Sequence, residues 1–294
     1  MNNSQPLVSC VIPSYKRNDM ISRAIDSVLA QTYSNIEIII VDDNEKGSEY
    51  GAALEKVVKA YNNERVKLLT QPSHINGAAA RNFGVKHAEG EYIAFLDDDD
   101  EWLPTKIEKQ IDFLNRNPEY EGVTTLSSLY TNGRLVCSQE KYDVEDLQYK
   151  VFLRKVGIGT PTFLASRESL VKMGCFDEHL LRHQDLQLFV AFLDSYKIGL
   201  VPEVLVKIHS DSAINRPNVE KLIQIKQDYF KSVKEYLDKY SPREQKRIMA
   251  NHYFEVAYIA LKEKKISTFI KYLFKAGSSL QAIKDVLGRL SERV

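Results

Sequence analysis

The sequence predicts an α/β fold built on a mostly parallel β-sheet with helices on both faces. Within the first hundred residues, short β-branched apolar runs alternate with segments whose apolar residues recur every three or four positions. The runs are typical of buried strands, and the periodic segments are typical of helices with one buried face. The order β-α-β-α-β-α-β needs crossover connections, which join parallel strands. An open, doubly covered parallel sheet therefore follows.

Each element of this first region has a local reason. The first strand ends at Pro13, which lacks a backbone N–H, and the second is the β-branched run I-E-I-I-I-V. The first helix places Ile21, Ala24, Ile25 and Val28 on one face. The predicted elements are a strand at 7–12, a helix at 18–32, a strand at 36–41, a helix at 49–62, a strand at 66–70, a helix at 76–88 and a strand at 92–96.

The remaining two thirds of the chain are less regular and then become helical. Asn132-Gly133 predicts a turn between two strands. The helical pattern from 217 onward is interrupted at Ser241-Pro242, at 262–265 and at Gly277. The other predicted elements are helices at 104–116 and 185–196 and extended segments at 123–129, 134–138, 161–166 and 200–208. We expect a domain at 1–216 followed by a C-terminal helical region at 217–294.

The charge balance excludes a polycation and separates the two ends of the chain. Forty Lys and Arg residues cancel forty Asp and Glu residues, so a nucleic-acid-binding protein is not expected. From Glu220 onward there are 16 basic and 9 acidic residues, a net charge of +7, and the remainder is therefore −7. An acidic first part and a basic last part suggest different partners for each.

The cysteine pattern and the N-terminus predict a cytoplasmic protein. Cys10, Cys137 and Cys175 are odd in number and have no metal-type spacing, which is typical of a reduced, intracellular chain. The opening M-N-N-S-Q-P has neither a basic stretch nor an apolar core, so no signal peptide is expected. No apolar run approaches the roughly 18–20 residues that span a bilayer. At most, we expect peripheral attachment at the inner face of the cell membrane.

The acidic run Asp97–Asp100 follows the fourth strand directly. Four adjacent carboxylates repel one another, and they become tolerable where a divalent cation and a phosphate-bearing ligand share the site. Strand alternation would place Asp97 and Asp99 on one side, as a metal clamp, and Asp98 on the other. The alternative is a solvated acidic loop that caps the following helix.

Two further polar groups are expected at the same edge of the sheet, because ligands of parallel sheets bind beyond the carboxyl ends of the strands. Asp43 ends the second strand and could accept a hydrogen bond from a base or a ribose, or it could simply form a turn. Arg81 opens a helix and could bind a diphosphate as a fork, or pair with a surface carboxylate.

Four segments together resemble family 2 glycosyltransferases in order and spacing. They are V-S-C-V-I-P-S-Y-K-R (8–17), I-I-I-V-D-D-N (38–44), N-G-A-A-A-R-N-F-G (76–84) and G-E-Y-I-A-F-L-D-D-D-D-E-W-L-P (90–104). The resemblance covers residues 7–210 and implies the GT-A fold, a Rossmann-like sheet. It also implies an inverting transferase that uses a nucleotide-sugar, with a UDP-sugar the family's usual donor, and Mn²⁺ or Mg²⁺. The implied acceptor is a glycan or a lipid-linked glycan, in bacterial surface polysaccharide synthesis.

Site residues carry over by position in these segments. The resemblance makes Asp97 and Asp99 the D-x-D metal motif, with Asp99 as the direct ligand. Pro13, Tyr15 and Asp43 would hold the base and ribose, and Arg81 and Asp98 would contact the nucleotide sugar. The full set of donor-binding positions is Pro13, Tyr15, Arg17, Asp43, Asn76, Arg81, Asp98 and His209. His209 resembles a family histidine near the diphosphate or metal, although a lone His is more often structural.

The resemblance also implies a catalytic Asp on a later helix, usually preceded by Glu. The best match is R-H-Q-D-L-Q-L-F (182–189), which makes Asp185 the base and places Gln184 where Glu is usual. Asp185 could instead be an ordinary helix N-terminal Asp, and Asp177 is the nearest rival. As base, Asp185 would take the acceptor's proton while the acceptor attacks opposite the leaving nucleoside diphosphate.

Two other classes compete with this interpretation. A non-catalytic GT-A subunit that supports another transferase is favoured only by Gln184, whereas the D-x-D motif and Asp185 argue against it. A sugar nucleotidyltransferase would need a glycine-rich loop after the first strand, and P-S-Y-K-R-N lacks those glycines.

The C-terminal segment 262–294 carries eight basic and three acidic residues, a net charge of +5. One helical face within it, flanked by Lys271 and Lys275, consists of Ile266, Phe269, Ile270, Leu273 and Phe274. Such a face could lie on an anionic membrane. It could equally pack on the rest of the chain or form a homo-oligomer.

Overall fold

The computed structural model describes residues 5–17, 19–210 and 217–277. Contacts group the chain into two units. The first unit comprises Met1–Glu145, Ile158–His179 and Ser195–Asp211, and the second comprises Asp146–Gly157, Leu180–Asp194 and Ser212–Val294. The expected boundary at residue 216 stays a prediction, and each unit is described by itself below.

The first unit is built on a nine-stranded sheet within the described residues. Its strands are β1 (Val8–Ser14), β2 (Ile36–Asp42), β3 (Val66–Thr70), β4 (Tyr92–Phe95), β5 (Glu101–Trp102), β6 (Gly122–Thr131), β7 (Arg134–Ser138), β8 (Leu164–Ser166) and β9 (Ile198–His209). Their order across the sheet is β3-β2-β1-β4-β8-β6-β9-β5, with β7 paired to β6. The predicted first four strands are confirmed.

Strand direction decides which ends meet. β1 pairs in parallel with both β2 and β4, and β2 pairs in parallel with β3. β8 runs antiparallel to β4 and to β6, and β9 runs parallel to β6. β9 therefore runs in the same direction as the four parallel strands. The carboxyl ends of β1, β2, β4 and β9 consequently lie at one edge of the sheet.

The helices include those predicted from the sequence and two short ones in the middle of the chain that were not predicted. They are α1 (Ile21–Leu29), α2 (Glu49–Ala60), α3 (Gly77–His87), α4 (Lys106–Arg116), α5 (Leu147–Phe152), α6 (Arg167–Lys172), α7 (Gln184–Ser195), α8 (Val219–Ser232), α9 (Lys234–Leu237), α10 (Pro242–Lys262) and α11 (Ile266–Ala276). α3 lies very close to the sheet at Gly84, where an added Cβ would stand 2.4 Å from Cγ1 of Val11. This close packing fixes the helix that carries Arg81 against β1.

Two local expectations are wrong. The acidic run does not continue the strand, because β4 ends at Phe95 and a turn follows, with Asp100 N–H donating to the Asp97 carbonyl at 3.1 Å. Strand alternation therefore does not orient these carboxylates. The extended segment expected at 161–166 begins instead with a 3₁₀ turn, Thr160–Thr162, because Pro161 supplies no N–H to a strand ladder.

The second unit contains α5, most of α7 and the helices from α8 onward. The predicted break at Ser241-Pro242 is a capping box, in which Ser241 and Glu244 satisfy each other's backbone N–H groups. The predicted breaks near 262–265 and at Gly277 are also present, although residues 278–294 lie outside the described range. None of the helices in the described ranges is long and apolar enough to cross a membrane.

Candidate active site

Asp43, just beyond β2, is 2 % exposed and is held by the loop between β3 and α3. Its carboxylate accepts hydrogen bonds from Gln71 Nε2 at 2.8 Å and from the Ile75 backbone N–H at 3.3 Å, and lies 2.9 Å from His74 Nδ1. Burial raises the pKa of Asp43, whereas His74 and the Ile75 N–H oppose that rise. The carboxylate is thus fixed in position at the end of the sheet.

Tyr15 lies beside this loop. Its ring stacks on the ring of His74, with centroids 3.9 Å apart and planes 9° from parallel. The loop after β1 is tied to the loop after β2, because the Lys16 backbone N–H donates to Asn44 Oδ1 at 2.9 Å. Pro13 lies opposite Val41 in the register of β1 and β2. Tyr15 and Asp43 are therefore brought together through His74, and their role in holding a base and ribose stays a prediction.

Gln71 and His74 were not predicted as site residues. Gln71 follows β3 directly, so the rule that polar groups at strand ends form the site could have found it. His74 lies in the loop P-S-H-I, where no motif or periodicity marks it. Only the fold shows that it meets both Asp43 and Tyr15.

The acidic run forms a partly buried cluster of carboxylates. Asp98 is 6 % exposed and Asp100 is 3 % exposed, while Asp97 and Asp99 are half-buried. Burial and the neighbouring Asp99 raise the pKa of Asp98 to about 7. Burial, then Asp97 and Asp99, raise the pKa of Asp100 as well. The surrounding residues therefore compensate the negative charge of the acidic run only in part.

Three arginines approach this run. One of them, Arg23, donates to the backbone carbonyl of Asp99, and the other two pair with carboxylates. Arg17 forms an ion pair with Asp99 and lies 3.7 Å from Asp98 Oδ1. Arg81 pairs with Asp97 and also donates to the Gly77 carbonyl of its own helix at 3.2 Å. Arg17, Arg81, Asp97, Asp98 and Asp99, here called the donor-site cluster, are thus gathered at the edge where β1 and β4 end.

The donor-site cluster suits a hard divalent cation that binds together with a phosphate. Within the described ranges, no three His, Cys, Asp or Glu side chains converge to form a complete metal cage. Mg²⁺ and similar hard cations are usually held by one or two carboxylates together with substrate phosphates and water. Asp97 and Asp99 are the more accessible carboxylates and supply oxygen ligands of that type. The residues therefore fit a cation that binds together with a phosphate.

His209 ends β9 beside the acidic run. Its backbone N–H donates to Asp100 Oδ1 at 3.0 Å, and its ring lies 5.7 Å from the ring of Tyr130. Its Nε2 is 3.5 Å from Glu101 Oε2 and is buried without a hydrogen-bond partner in the described part of the chain. Its predicted place near a diphosphate or metal stays a prediction.

Asn76 has a structural role that its prediction as a donor ligand did not include. Its Oδ1 accepts from the N–H groups of Ala78 and Ala79 at 3.0 Å and so caps α3. Its Nδ2 donates to the Glu178 carbonyl at 2.7 Å. Asn76 therefore fixes the start of the helix that carries Arg81.

Asp185 belongs to the second unit, in the first turn of α7. Its Oδ1 accepts from the Leu186 N–H at 2.8 Å. Gln184, at the position where Glu was expected, donates to the Leu180 carbonyl at 2.6 Å. The rival Asp177 accepts from the His179 N–H at 2.9 Å and forms the expected turn. A catalytic role for Asp185 stays a prediction.

Comparison with known proteins gives the family. The sequence profile described as glycosyl transferase family 2 matches residues 9–173, more than half of the chain. The chain belongs to this family. It is accordingly a glycosyltransferase with the GT-A fold, as the resemblance implied.

A named relative and two solved structures are similar to this family 2 glycosyltransferase. The chain is 32 % identical over 198 residues to the Escherichia coli UDP-Glc:alpha-D-GlcNAc-diphosphoundecaprenol beta-1,3-glucosyltransferase WfgD, covering 66 % of this chain and 73 % of that protein. S. aureus TarS 1-349 in complex with UDP-GlcNAc superposes with a TM-score of 0.66 at 16 % identity, over 92 % of this chain and 80 % of that one. The Pyrobaculum calidifontis mannosyltransferase PcManGT, in complex with GDP-Man and Mn²⁺, superposes with a TM-score of 0.61 at 15 % identity, over 98 % and 81 %.

Some predicted site residues of this glycosyltransferase lie within the range of the family match, and others lie outside it. The donor-binding and metal candidates from Pro13 to Asp99 lie within the matched range 9–173. Asp185 and His209 lie beyond it. The match therefore extends over the donor-site cluster and Asp43 with its neighbours, while the assignment of the base depends on the sequence around Asp185.

Proposed function

We propose that this chain is an inverting, metal-dependent glycosyltransferase that moves a sugar from a UDP-sugar to a hydroxyl of a glycan or lipid-linked acceptor. The observation that carries the proposal is the edge of the sheet where the linked residues Tyr15, His74 and Asp43 adjoin the donor-site cluster. A nucleotide-sugar needs both features, a place for the base and ribose and a place for the diphosphate. The similarity to WfgD, named for its UDP-Glc donor and its diphosphoundecaprenol-linked acceptor, supports the choice of substrates.

Different residues of the site contact different parts of the donor in this proposal. Asp43 is ionised at neutral pH in this proposal and accepts an N–H from the base, for which uracil N3–H is suitable, while Tyr15 lies against the ring. Arg81, oriented by α3, donates to the diphosphate. Asp97 and Asp99 would hold a divalent cation, and the cation would supply positive charge to neutralise the leaving diphosphate. The same fold with UDP-GlcNAc in TarS and with GDP-Man and Mn²⁺ in PcManGT supports this class of donor.

The bond changes define the role of Asp185. The acceptor oxygen forms a bond to the anomeric carbon, and the bond from that carbon to the diphosphate oxygen breaks, leaving its electron pair on the nucleoside diphosphate. Asp185 accepts the proton that the acceptor hydroxyl loses. Because attack comes from the face opposite the leaving group, the anomeric configuration inverts.

A donor panel tests the proposal directly. Purified protein with Mn²⁺ and a set of nucleotide-sugars should slowly release nucleoside diphosphate from one donor, and we expect a UDP-sugar. Release of pyrophosphate would instead indicate a nucleotidyltransferase. Binding of UDP without turnover of any donor, even with undecaprenol-linked acceptors present, would favour a non-catalytic subunit.

The setting follows from the acceptor. A lipid-linked acceptor would require the enzyme to work at the inner, cytoplasmic face of the cell membrane, in surface polysaccharide assembly. α11 supports this part of the proposal, because Ile270 and Phe274 are 46 % and 82 % exposed and lie beside Lys271 and Lys275. An apolar face with adjacent cations suits an anionic lipid surface. A homo-oligomer formed through the same face is the alternative.

A further inference from the structure

We propose that Arg17 acts as a counter-ion of the D-x-D motif. Its ion pair with Asp99 prevents divalent cations from binding to the protein without nucleotide, and Asp99 becomes available to a cation only when a diphosphate is present. The inference rests on the proposed function, because it assumes that Asp99 is a metal ligand. It concerns the order and the coupling of metal and donor binding, which the family assignment does not give.

The contacts of Arg17 are the first step. Its guanidinium pairs with Asp99 and lies 3.7 Å from Asp98 Oδ1. The Arg17 side chain is 49 % exposed, whereas those of Asp98 and Asp99 are 9 % and 20 % exposed. Arg17 therefore covers the accessible side of the carboxylates, where an incoming cation would have to bind.

Arg81 provides the contrast. It pairs with Asp97, but its side chain is only 13 % exposed, it donates to the Gly77 carbonyl, and its Cζ lies 5.6 Å from the ring centre of Phe176. Arg81 is thus anchored by its own helix and by an aromatic ring. The polar contacts of Arg17 within the described residues are with the acidic run. Of these two arginines, Arg17 is consequently the one that can be displaced from its carboxylate.

Electrostatics then couples the two ligands. A divalent cation and the Arg17 guanidinium cannot both lie against Asp99, because like charges a few ångströms apart repel strongly. Metal alone must therefore displace Arg17 into water and lose its ion pair. A nucleoside diphosphate changes this balance, since its phosphates offer Arg17 a new bidentate acceptor. Metal and nucleotide should accordingly strengthen each other's binding, and reciprocity requires equal factors.

The test measures Mn²⁺ binding to the full chain by calorimetry, without and with saturating UDP. We expect Arg17→Gln to bind Mn²⁺ alone more tightly than the unsubstituted protein, by about 5- to 150-fold, the usual range of such couplings. In the same variant, the factor by which UDP strengthens Mn²⁺ binding should shrink. Lys16→Gln is the matched control, and its Mn²⁺ affinity should stay the same. It removes a neighbouring charge that lies over the Tyr15 ring, 4.8 Å from the ring centre, and that has no ion pair with the acidic run among the described residues.

Two results would overturn the proposal. One is equal or weaker binding of Mn²⁺ alone to Arg17→Gln; the other is a similar gain in Lys16→Gln, which would indicate a general charge effect. Thermal unfolding of each variant checks that the fold is retained. Because Mn²⁺ alone is the probe, these results are distinct from a failure of the donor panel, which would instead overturn the proposed function.

Discussion

Two groups of charged residues, one in each unit, have opposite electrostatic balance. The interior cluster of the second unit consists of Arg154, His183, Lys226, His252 and Glu255. The ammonium of Lys226 is 2.9 Å from His183 Nε2, 3.1 Å from His252 Nδ1 and 2.7 Å from Glu255 Oε2. Arg154 pairs with the same carboxylate. Each of the three donors of Lys226 therefore has an acceptor.

The pKa directions express the difference. In the interior cluster, burial alone would raise the pKa of Glu255, but Lys226 and Arg154 hold it well below its usual range. In the donor-site cluster, burial and Asp99 raise the pKa of Asp98 to about 7 despite Arg17. In the interior cluster, each donor of Lys226 already has an acceptor within the chain, which suits a structural role. The donor-site cluster has unbalanced charge, which is what a binding site for a cation and a phosphate would show.

The largest expected effect comes from Asp185, which lies near the interior cluster and, with Glu255, raises the pKa of Arg154 against its burial. Asp185→Asn should lower the transfer rate by about 10²- to 10⁴-fold, because the acceptor proton loses its base. Binding of UDP with Mn²⁺, measured by calorimetry, should hardly change. Asp177→Asn removes the same charge from a turn and should keep its turnover. Near-normal turnover of Asp185→Asn would contradict the assignment.

Breaking the interior cluster should have the next largest effect. Lys226→Met removes a donor from two buried histidines and leaves Glu255 with Arg154 as its remaining partner, which should lower the free energy of unfolding by about 3–5 kcal/mol. Urea denaturation measures the change. Lys231→Met, on the exposed side of the same helix α8, should stay within about 0.5 kcal/mol. Equal effects of the two substitutions would mean that the cluster does not stabilise this unit.

The two clusters also differ in how far the sequence predicts them. The donor-site cluster follows from polar residues at strand ends and from linked motifs, since Asp97–Asp99, Arg17 and Arg81 each adjoin a predicted element. The interior cluster joins the residue before α7, residues of α8 and α10, and the region after α5, with no motif or local spacing to connect them. Long-range packing decides such contacts, and it also placed His74 against Tyr15. The turn at Asp97–Asp100 was missed because strand alternation was extended beyond the last ladder hydrogen bond.

Removing one carboxylate from the donor-site cluster should stabilise the protein, in contrast to Lys226→Met. The pKa of Asp98 is raised from its ordinary value to about 7 in the folded state, so the folded protein binds more protons between about pH 4 and 7. Stability therefore falls as pH rises through this window, and the full cost is present above pH 7. Asp98→Asn should raise the free energy of unfolding by up to about 4 kcal/mol at pH 8 and hardly at pH 4.

Chemical denaturation at both pH values checks this sign. Asp112→Asn, an exposed carboxylate on α4, is the control and should show no such dependence. A loss of stability for Asp98→Asn at pH 8 would mean that Arg17 compensates the charge of Asp98 fully. The contrast between the two clusters would then fail.

The smallest expected effect on stability concerns α11. One face of this helix packs against α10, and the other face is exposed. Tyr272 is 6 % exposed and packs with Val256 and Ala260 of α10, whereas Phe274 is 82 % exposed. Replacing both Ile270 and Phe274 with Ser should change the free energy of unfolding by about 0.5 kcal/mol or less, because these side chains are largely exposed already.

Binding to vesicles should nevertheless be lost in this double variant. The unsubstituted protein should sediment with anionic vesicles at low salt, since each cation near the surface contributes about 1 kcal/mol and the apolar side chains insert at the interface. Substitution is preferable to truncation, because removing α11 would also uncover the residues of α10 that Tyr272 covers. Leu135→Ser, at an exposed apolar position on β7, should sediment like the unsubstituted protein. If neither the unsubstituted protein nor the double variant sediments, membrane contact is excluded, and a lower oligomeric state of the variant in analytical ultracentrifugation would assign the face to assembly.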